Sequence, residues 1–203
     1  MTDRFEKMVK VPEVPVAKLL SVANLRLDTP VEAPVAALPS VVLAELDEKG
    51  AMLDILRLLA LALPPRDRVW WACLAARDFI DIFEEDKGPE PLLASEAWVF
   101  KPTDEIRERA RVSLDDAYMD DETVNCAMSV TYCDGTLGIA DLANYPAPAG
   151  ASETCAFVMN AVALDKNHDR LEVYAQLLID RAIDIGRGGN GRVEKAEPEE
   201  EAT

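Results

Sequence analysis

The sequence predicts an all-α protein, an orthogonal bundle of about seven helices preceded by an apolar arm. Three observations favour this class. Apolar residues recur at intervals of three and four in at least four segments, which is the spacing of a helix face. No convincing alternation of apolar and polar residues, the pattern of a half-buried strand, is found. Most of the periodic segments are bounded by proline, glycine or a capping residue.

Residues 1–38 are expected to form an arm, because prolines interrupt every periodic run. Proline excludes a continuous helix, although one or two helical turns fit around Val16–Leu25. The arm carries many Val and Leu residues, and we take Leu19 and Leu20 as candidate partner-binding residues. Two interpretations stay open. The arm is either an unstructured leader or an apolar strap laid over the domain or over a partner.

Residues 39–187 are predicted to form the helical domain. Ser40 is a suitable cap for a short helix through about Leu46. A second helix, about Glu48–Leu63, has apolar residues at i, i+3, i+4, i+7 and i+11, and Pro64 stops it.

The third helix, about Pro65–Phe83, contains two adjacent tryptophans and is apolar on nearly all sides in its first half. Trp70, Trp71 and Leu74 lie on the side that the later aspartates mark as polar. A helix that is apolar all round is usually central, which predicts buried tryptophans, with the arm as their cover. The alternative is that these three residues form an exposed patch that binds a partner.

Five further segments are helical by the same criteria, at about residues 90–100, 104–118, 122–133, 152–164 and 168–186. Their expected capping or starting residues include Thr103, Asp121, Ser152 and Asn167. A long loop at 134–150 contains three glycines and two prolines. Residues 188–203 are interpreted as a Gly-rich linker and a disordered acidic tail.

The chain is strongly acidic, with 21 basic and 38 acidic residues and a formal net charge of −17. The tail carries five glutamates and one lysine, a net −4, which leaves −13 on the body. Such a surface repels nucleic-acid phosphates, so we expect a protein partner with a basic or apolar surface and no nucleic acid. The acidic clusters at 81–86 and 115–122 are either solvated faces or docking sites for a basic partner. In the second cluster the candidate residues are Asp115, Asp116, Asp120 and Asp121.

Candidate chemistry is sparse, because the chain has one histidine and no phosphate loop or nucleophile motif. Asp134-Gly135-Thr136 is interpreted as a helix-stopping turn. The four cysteines form no CxxC pair, and with His168 alone they make a poor zinc site, so reduced thiols are expected. We therefore predict a non-enzyme with no catalytic residue, metal or cofactor. No signal peptide or membrane-spanning run is found, which favours a cytoplasmic protein.

The block Leu63–Ala76 resembles a bacterial family known only as a domain of unknown function. Members of that family have a similar Leu-Pro-Pro-Arg followed by Val-Trp-Trp-Ala-Cys. Ala97–Val99 and the last helix, Tyr174–Gly186, are also similar, so the resemblance covers roughly residues 40–187. The sequence departs from the family at Tyr132–Gly135, where an aromatic-Ser-Gly-Gly pattern is more usual.

Genes of that family often lie beside type VI secretion components. The resemblance therefore implies an adaptor or chaperone accessory to type VI secretion, with a secreted effector or a spike component as its partner. No catalytic residues are assigned in the family, so none is carried over. The alternative is an acidic immunity-type protein that neutralises a toxin, and a third possibility is an enzyme with an unrecognised site in the 134–150 loop.

Overall fold

The computed structural model describes residues 4–80 and 88–193. Within these ranges the chain forms nine α-helices, two short 3₁₀-helices and no β-strand, which confirms the all-α prediction. The helices are α1 (Val16–Ala23), α2 (Pro39–Glu48), α3 (Met52–Ala62), α4 (Pro65–Arg77), α5 (Glu90–Phe100), α6 (Asp104–Ser113), α7 (Val124–Thr131), α8 (Ala151–Lys166) and α9 (Leu171–Gly186).

The number of helices exceeds the expected seven, partly because the arm supplies α1. Helix α4 is shorter than predicted and ends at Arg77 rather than Phe83. The apolar periodicity continued through Phe79 and Ile80 because both side chains pack back against the core from beyond the helix end. The remaining predicted residues, 81–83, and the acidic cluster at 81–86 lie outside the described residues.

The core consists of two clusters of buried apolar side chains. The first cluster joins the arm, α2, α3 and α9 to one side of α4 and α8. The second cluster joins α5, α6 and α7 to the other side of the same two helices. On α4, for example, Trp71 belongs to the first cluster and Cys73 to the second. The all-round apolar character of α4 therefore reflects its central position, as predicted.

The arm is a strap across the first cluster. Phe5 and Met8 are buried in that cluster, and Leu19 and Leu20 are half-buried against it. The backbone N–H of Lys10 donates to the Gly186 carbonyl at 2.9 Å, at the end of α9. Of the two interpretations of residues 1–38, the packed strap is the one that the structure shows for the residues that it describes.

Asp54 on α3 fastens the arm to the domain. Its carboxylate is 3% exposed and accepts the backbone N–H groups of Asp28 at 3.0 Å and Thr29 at 2.6 Å, besides an ion pair with Arg57. Burial raises the pKa of Asp54, but the hydrogen bonds from Thr29 and Asp28 and the charge of Arg57 outweigh it and leave the pKa below its ordinary value. The ionised carboxylate thus stabilises the native path of the arm.

Three buried arginines connect helices through paired carboxylates. Arg181 on α9 contacts Asp78 at 2.5 Å, just after α4, and the Tyr174 hydroxyl donates to the same carboxylate at 2.7 Å. The other two pairs are Arg68 with Glu153 and Arg107 with Asp134. A buried charge that loses its partner is costly, so these pairs help to specify how the helices are arranged.

No helix among the described residues is long and apolar enough to cross a bilayer. The four cysteines are free thiols, and Cys73 and Cys126 are fully buried in the second cluster. Cys133 and Cys155 are partly exposed, and burial raises the pKa of the Cys155 thiol to about 11. These thiols pack as apolar groups of the core and its margin.

Candidate functional site

A groove of about 840 Å³ lies where α4 ends and α5 begins, and the α6–α7 connection forms its other wall. We call it the acidic groove. Its apolar lining includes Phe79, Ile80, Pro89 and Val112. The α6–α7 connection reaches this position because α6 ends at Ser113 rather than continuing to Tyr118 as predicted.

The charged lining of the acidic groove is net negative. Among the described residues that line it, five carboxylates and two cationic side chains give −3, from Glu90, Asp116, Asp120, Asp121, Glu122, Arg109 and Lys166. Two of the carboxylates are in ion pairs, Glu90 with Arg109 at 2.6 Å and Glu122 with Lys166 at 2.8 Å. The bond to Lys166 holds the pKa of Glu122 below its ordinary value. The remaining negative charge comes from the three aspartates.

Asp116 and Asp120 are exposed, and their side chains form no hydrogen bond or ion pair with another described residue. Asp121 is half-buried and accepts the backbone N–H of Thr123 at 2.9 Å and its hydroxyl at 2.6 Å. It therefore caps the turn that leads into α7, and the helix begins at Val124 rather than at Glu122 as predicted. Both exposed carboxylates line the groove, where the charge of Asp120 also acts on Lys166.

Tyr118 lies in the same connection and is 83% exposed. A large aromatic side chain beside exposed carboxylates and an apolar floor combines contact area with charge, as binding surfaces often do. Tyr118 was not among the predicted binding residues, because the expected helix extended to that residue. The four aspartates that flank Tyr118 in the sequence could have indicated that it lies in an exposed connection.

The structure brings together three of the four predicted aspartates. Asp115 does not line the acidic groove, and its carboxylate lies 3.8 Å from Arg111 on α6.

Trp71 and Leu74 are buried, as the leading interpretation predicted, and the alternative of an exposed patch does not hold for either residue. Trp71 is 0% exposed, and its Nε1–H donates to the Leu178 carbonyl at 2.9 Å. Helix α9 therefore covers this side of α4, where the sequence analysis had placed the arm. The buried interpretation of Trp71 is confirmed, with a different covering element.

Trp70 is half-buried and lies on the outer surface of α4. Its Nε1–H donates to the Asn190 carbonyl at 2.7 Å, and its ring meets Phe100 edge-on at 5.8 Å. The segment 188–193, predicted as the start of a linker, folds back onto α4 and α9. The N–H of Gly191 donates to Asp184 at 2.8 Å. Residues 194–203, the predicted acidic tail, lie outside the described residues.

The loop at 134–150 begins with a turn, as predicted for Asp134-Gly135-Thr136. The Asp134 carboxylate accepts the Thr136 N–H at 2.9 Å and pairs with the buried Arg107. A β-bridge between Thr136 and Pro146 closes the base of the loop. The polar groups of Asp134 and Thr136 thus hold the loop in place.

A smaller cavity of about 390 Å³ lies between α1 and this loop, lined in part by Leu19 and Cys133. Gly150 also lines this cavity. It packs tightly against the end of α1, since a Cβ at this position would lie 2.3 Å from the Ala23 carbonyl oxygen. Burial raises the pKa of the Cys133 thiol, which disfavours the reactive thiolate. Among the described residues, no group of three or more His, Cys, Asp and Glu side chains is placed to hold a metal ion.

A family model matches residues 42–186, and the chain belongs to that family, a family of unknown function, DUF6931. No curated protein and no solved structure matches the chain. The resemblance to an uncharacterised domain family is therefore supported over residues 42–186.

Proposed function

We propose that this member of the DUF6931 family is a non-enzymatic protein-interaction module that binds a basic, partly apolar segment of a protein partner in the acidic groove. The observation that carries the proposal is the juxtaposition of two exposed carboxylates, Asp116 and Asp120, with exposed Tyr118 and an apolar floor.

Charge selects the kind of partner. Exposed carboxylates attract Lys and Arg side chains and raise the rate of encounter, while the apolar floor supplies area that water leaves on binding. The net charge of −17 extends this attraction beyond the groove. A basic segment with one or two apolar side chains satisfies both features of the site.

The biological role that we propose is an adaptor or chaperone accessory to type VI secretion. Its partner would be a secreted effector or a spike component met in the cytoplasm. The support is the resemblance of the Leu63–Ala76 block, together with an acidic groove suited to holding a basic segment of a client protein.

The second candidate is an immunity-type protein that occupies the basic active site of a toxin. The same carboxylates favour it, since an acidic surface complements a site that handles phosphate or other anions. The two roles differ in their effect on the partner. An immunity protein abolishes the activity of its partner in a one-to-one complex, whereas an adaptor binds without inhibition.

The test is affinity purification of the tagged full chain from cells that carry the gene, followed by binding measurements on the purified partner. The groove variant is Asp116→Lys with Asp120→Lys. The control is Glu48→Lys with Asp141→Lys, two exposed positions outside the groove with the same change in net charge. We expect the groove variant to weaken binding by about tenfold or more, and the control to retain it.

Equal loss of binding in both variants would show that only net charge matters, and the acidic groove would not be the site. Full binding by the groove variant would also contradict the proposal. Assay of the partner alone and in the complex then separates the adaptor from the immunity protein.

A further inference from the structure

At the other end of the α4–α5 pair lies a second cavity, of about 410 Å³, with the opposite charge. We call it the basic cleft. Among the described residues that line it, three cationic side chains, Lys10, Arg66 and Arg192, surround one carboxylate, Asp67, which gives a net charge of +2. In a chain with 38 acidic and 21 basic residues, a local excess of positive charge is unexpected.

Two of the three cations are not neutralised within the described chain. Lys10 pairs with Asp67 at 2.8 Å. Arg66 uses its Nε–H for the Val99 carbonyl, and neither Arg66 nor Arg192 forms an ion pair with a described carboxylate. Both arginines are exposed. Among the described residues, nothing neutralises the charge of these two guanidinium groups.

Aromatic surface lies beside these arginines. Phe100 is 70% exposed, and its ring contacts Trp70 edge-on. The Arg192 guanidinium lies 5.8 Å from the centre of the Trp70 ring, which orients the cation over the indole. Guanidinium groups next to exposed aromatic rings suit a ligand with both carboxylate and apolar groups.

We infer that the basic cleft is a second docking site, for an acidic peptide segment of a partner protein that places an apolar side chain against Trp70 and Phe100. Charge complementarity carries this choice. A nucleic acid would extend beyond the small cleft onto a surface with a net charge of −17, whereas a short acidic segment ends within it. The inference goes beyond the acidic groove and is independent of it, because the two sites share no residue.

The test uses the full chain and a fluorescein-labelled octapeptide, Glu-Glu-Leu-Phe-Glu-Glu-Leu-Glu, with its Glu-to-Gln counterpart as the control peptide. Fluorescence anisotropy measures binding at low and physiological salt. We expect the acidic peptide to bind saturably and at least about tenfold more tightly than the Gln peptide.

Variants locate the binding. Arg66→Gln with Arg192→Gln removes two charges from the cleft, and Lys18→Gln with Arg26→Gln removes two exposed charges elsewhere. Binding should fall by about tenfold in the first pair and in Phe100→Ala, and should persist in the second pair and in the groove variant Asp116→Lys with Asp120→Lys. The result for the basic partner at the acidic groove does not affect this inference, because the peptide assay measures only binding at the basic cleft.

Three results would overturn the inference. The first is that the full chain binds the acidic peptide no better than the Gln peptide. The second is that a single-stranded DNA oligonucleotide binds the cleft more tightly than the peptide does. In the third, peptide binding appears only when the chain is shortened to Val193, which would make residues 194–203 the occupant in place of a partner.

Discussion

The acidic groove and the basic cleft lie at opposite ends of the α4–α5 pair, and they are built differently. Helix α4 has 13 residues, so about 20 Å separates its ends. Among the described residues, the charged side chains of the acidic groove lie between Glu90 and Glu122 except for Lys166 of α8, and the α6–α7 connection supplies most of them. The basic cleft requires residues from the arm, from α4 and α5, and from the segment after α9.

Because of this difference, substitutions at the two sites should differ in how they affect partner binding and the free energy of unfolding. Charges in the acidic groove are mostly exposed, and changing them alters the attraction for a partner with little effect on packing. The basic cleft exists only while remote parts of the chain are held together, so its shape depends on the tertiary fold. Substitutions near the cleft should therefore lower the free energy of unfolding, in proportion to how deeply the replaced group is buried.

The largest expected contrast is between the adjacent tryptophans. Trp71→Ala removes a fully buried ring from the middle of α4 and should cost about 3–5 kcal/mol in the free energy of unfolding. Trp70→Ala at the cleft removes a half-buried ring and one hydrogen bond, and should cost about 1–2 kcal/mol. Urea denaturation of both variants measures the difference. Similar losses would contradict the assignment of Trp70 to the surface.

The next effect concerns the arm, which carries Lys10 to the cleft. Asp54→Asn should destabilise the protein by about 2 kcal/mol at neutral pH, because the buried carboxylate loses charge-assisted hydrogen bonds. The pKa of Asp54 is lowered in the folded protein, so its contribution is present above the ordinary value of about 3.9 and disappears as pH falls through the lower folded value.

Denaturation curves from pH 7 to acid pH should therefore lose stability more steeply in the wild type than in Asp54→Asn. Glu48→Gln, at an exposed position on α2, serves as the control and should follow the wild type. Parallel curves for the wild type and Asp54→Asn would show that Asp54 does not anchor the arm in its ionised form.

A smaller effect is expected at the turn after α9. Gly191 has φ +73°, and a Cβ there would lie 2.8 Å from side-chain carbons of Ile185 and Leu74. Gly188 also has positive φ but open space around it, so it is a matched control. Gly191→Ala should cost about 1 kcal/mol more than Gly188→Ala, and it alone should weaken peptide binding at the cleft. Equal effects would mean that the turn is not packed on α4.

The smallest expected effect leaves stability unchanged and tests the region between the two ends. Cys73 and Cys126 are fully buried, whereas Cys133 and Cys155 are partly exposed. In the native protein Cys133 and Cys155 should react slowly with a thiol reagent, and Cys73 and Cys126 should not react. All four should react in denaturant. Rapid native labelling of Cys73 would show that the centre of α4 opens to solvent.

Much of the fold follows from local signals in the sequence. Prolines 64 and 65 separate α3 from α4, and Thr103 caps α6 by accepting the Ile106 N–H at 3.4 Å. Helix α1 lies where apolar residues fit between the prolines of the arm. These features depend on neighbours in the chain, which is why periodicity and capping rules find them.

The binding surfaces are less accessible to such rules. Three aspartates of the acidic groove are close in sequence and were found, but Tyr118 depended on where α6 ends. The residues of the basic cleft are spread from Lys10 to Arg192 and carry no shared motif. The glycines after α9 suggested a linker, because the contact of Gly191 with Leu74 joins residues more than a hundred positions apart.

The sharing of α4 and α8 between the two clusters has a consequence for folding. Each helix presents one side to each cluster, so neither half of the core can open while the other keeps its full set of contacts. The protein should therefore unfold as one cooperative unit, without a stable half-domain. Amide protons of α4 and α8 should then exchange with solvent mainly through global unfolding, and they report on the whole molecule wherever a substitution is made.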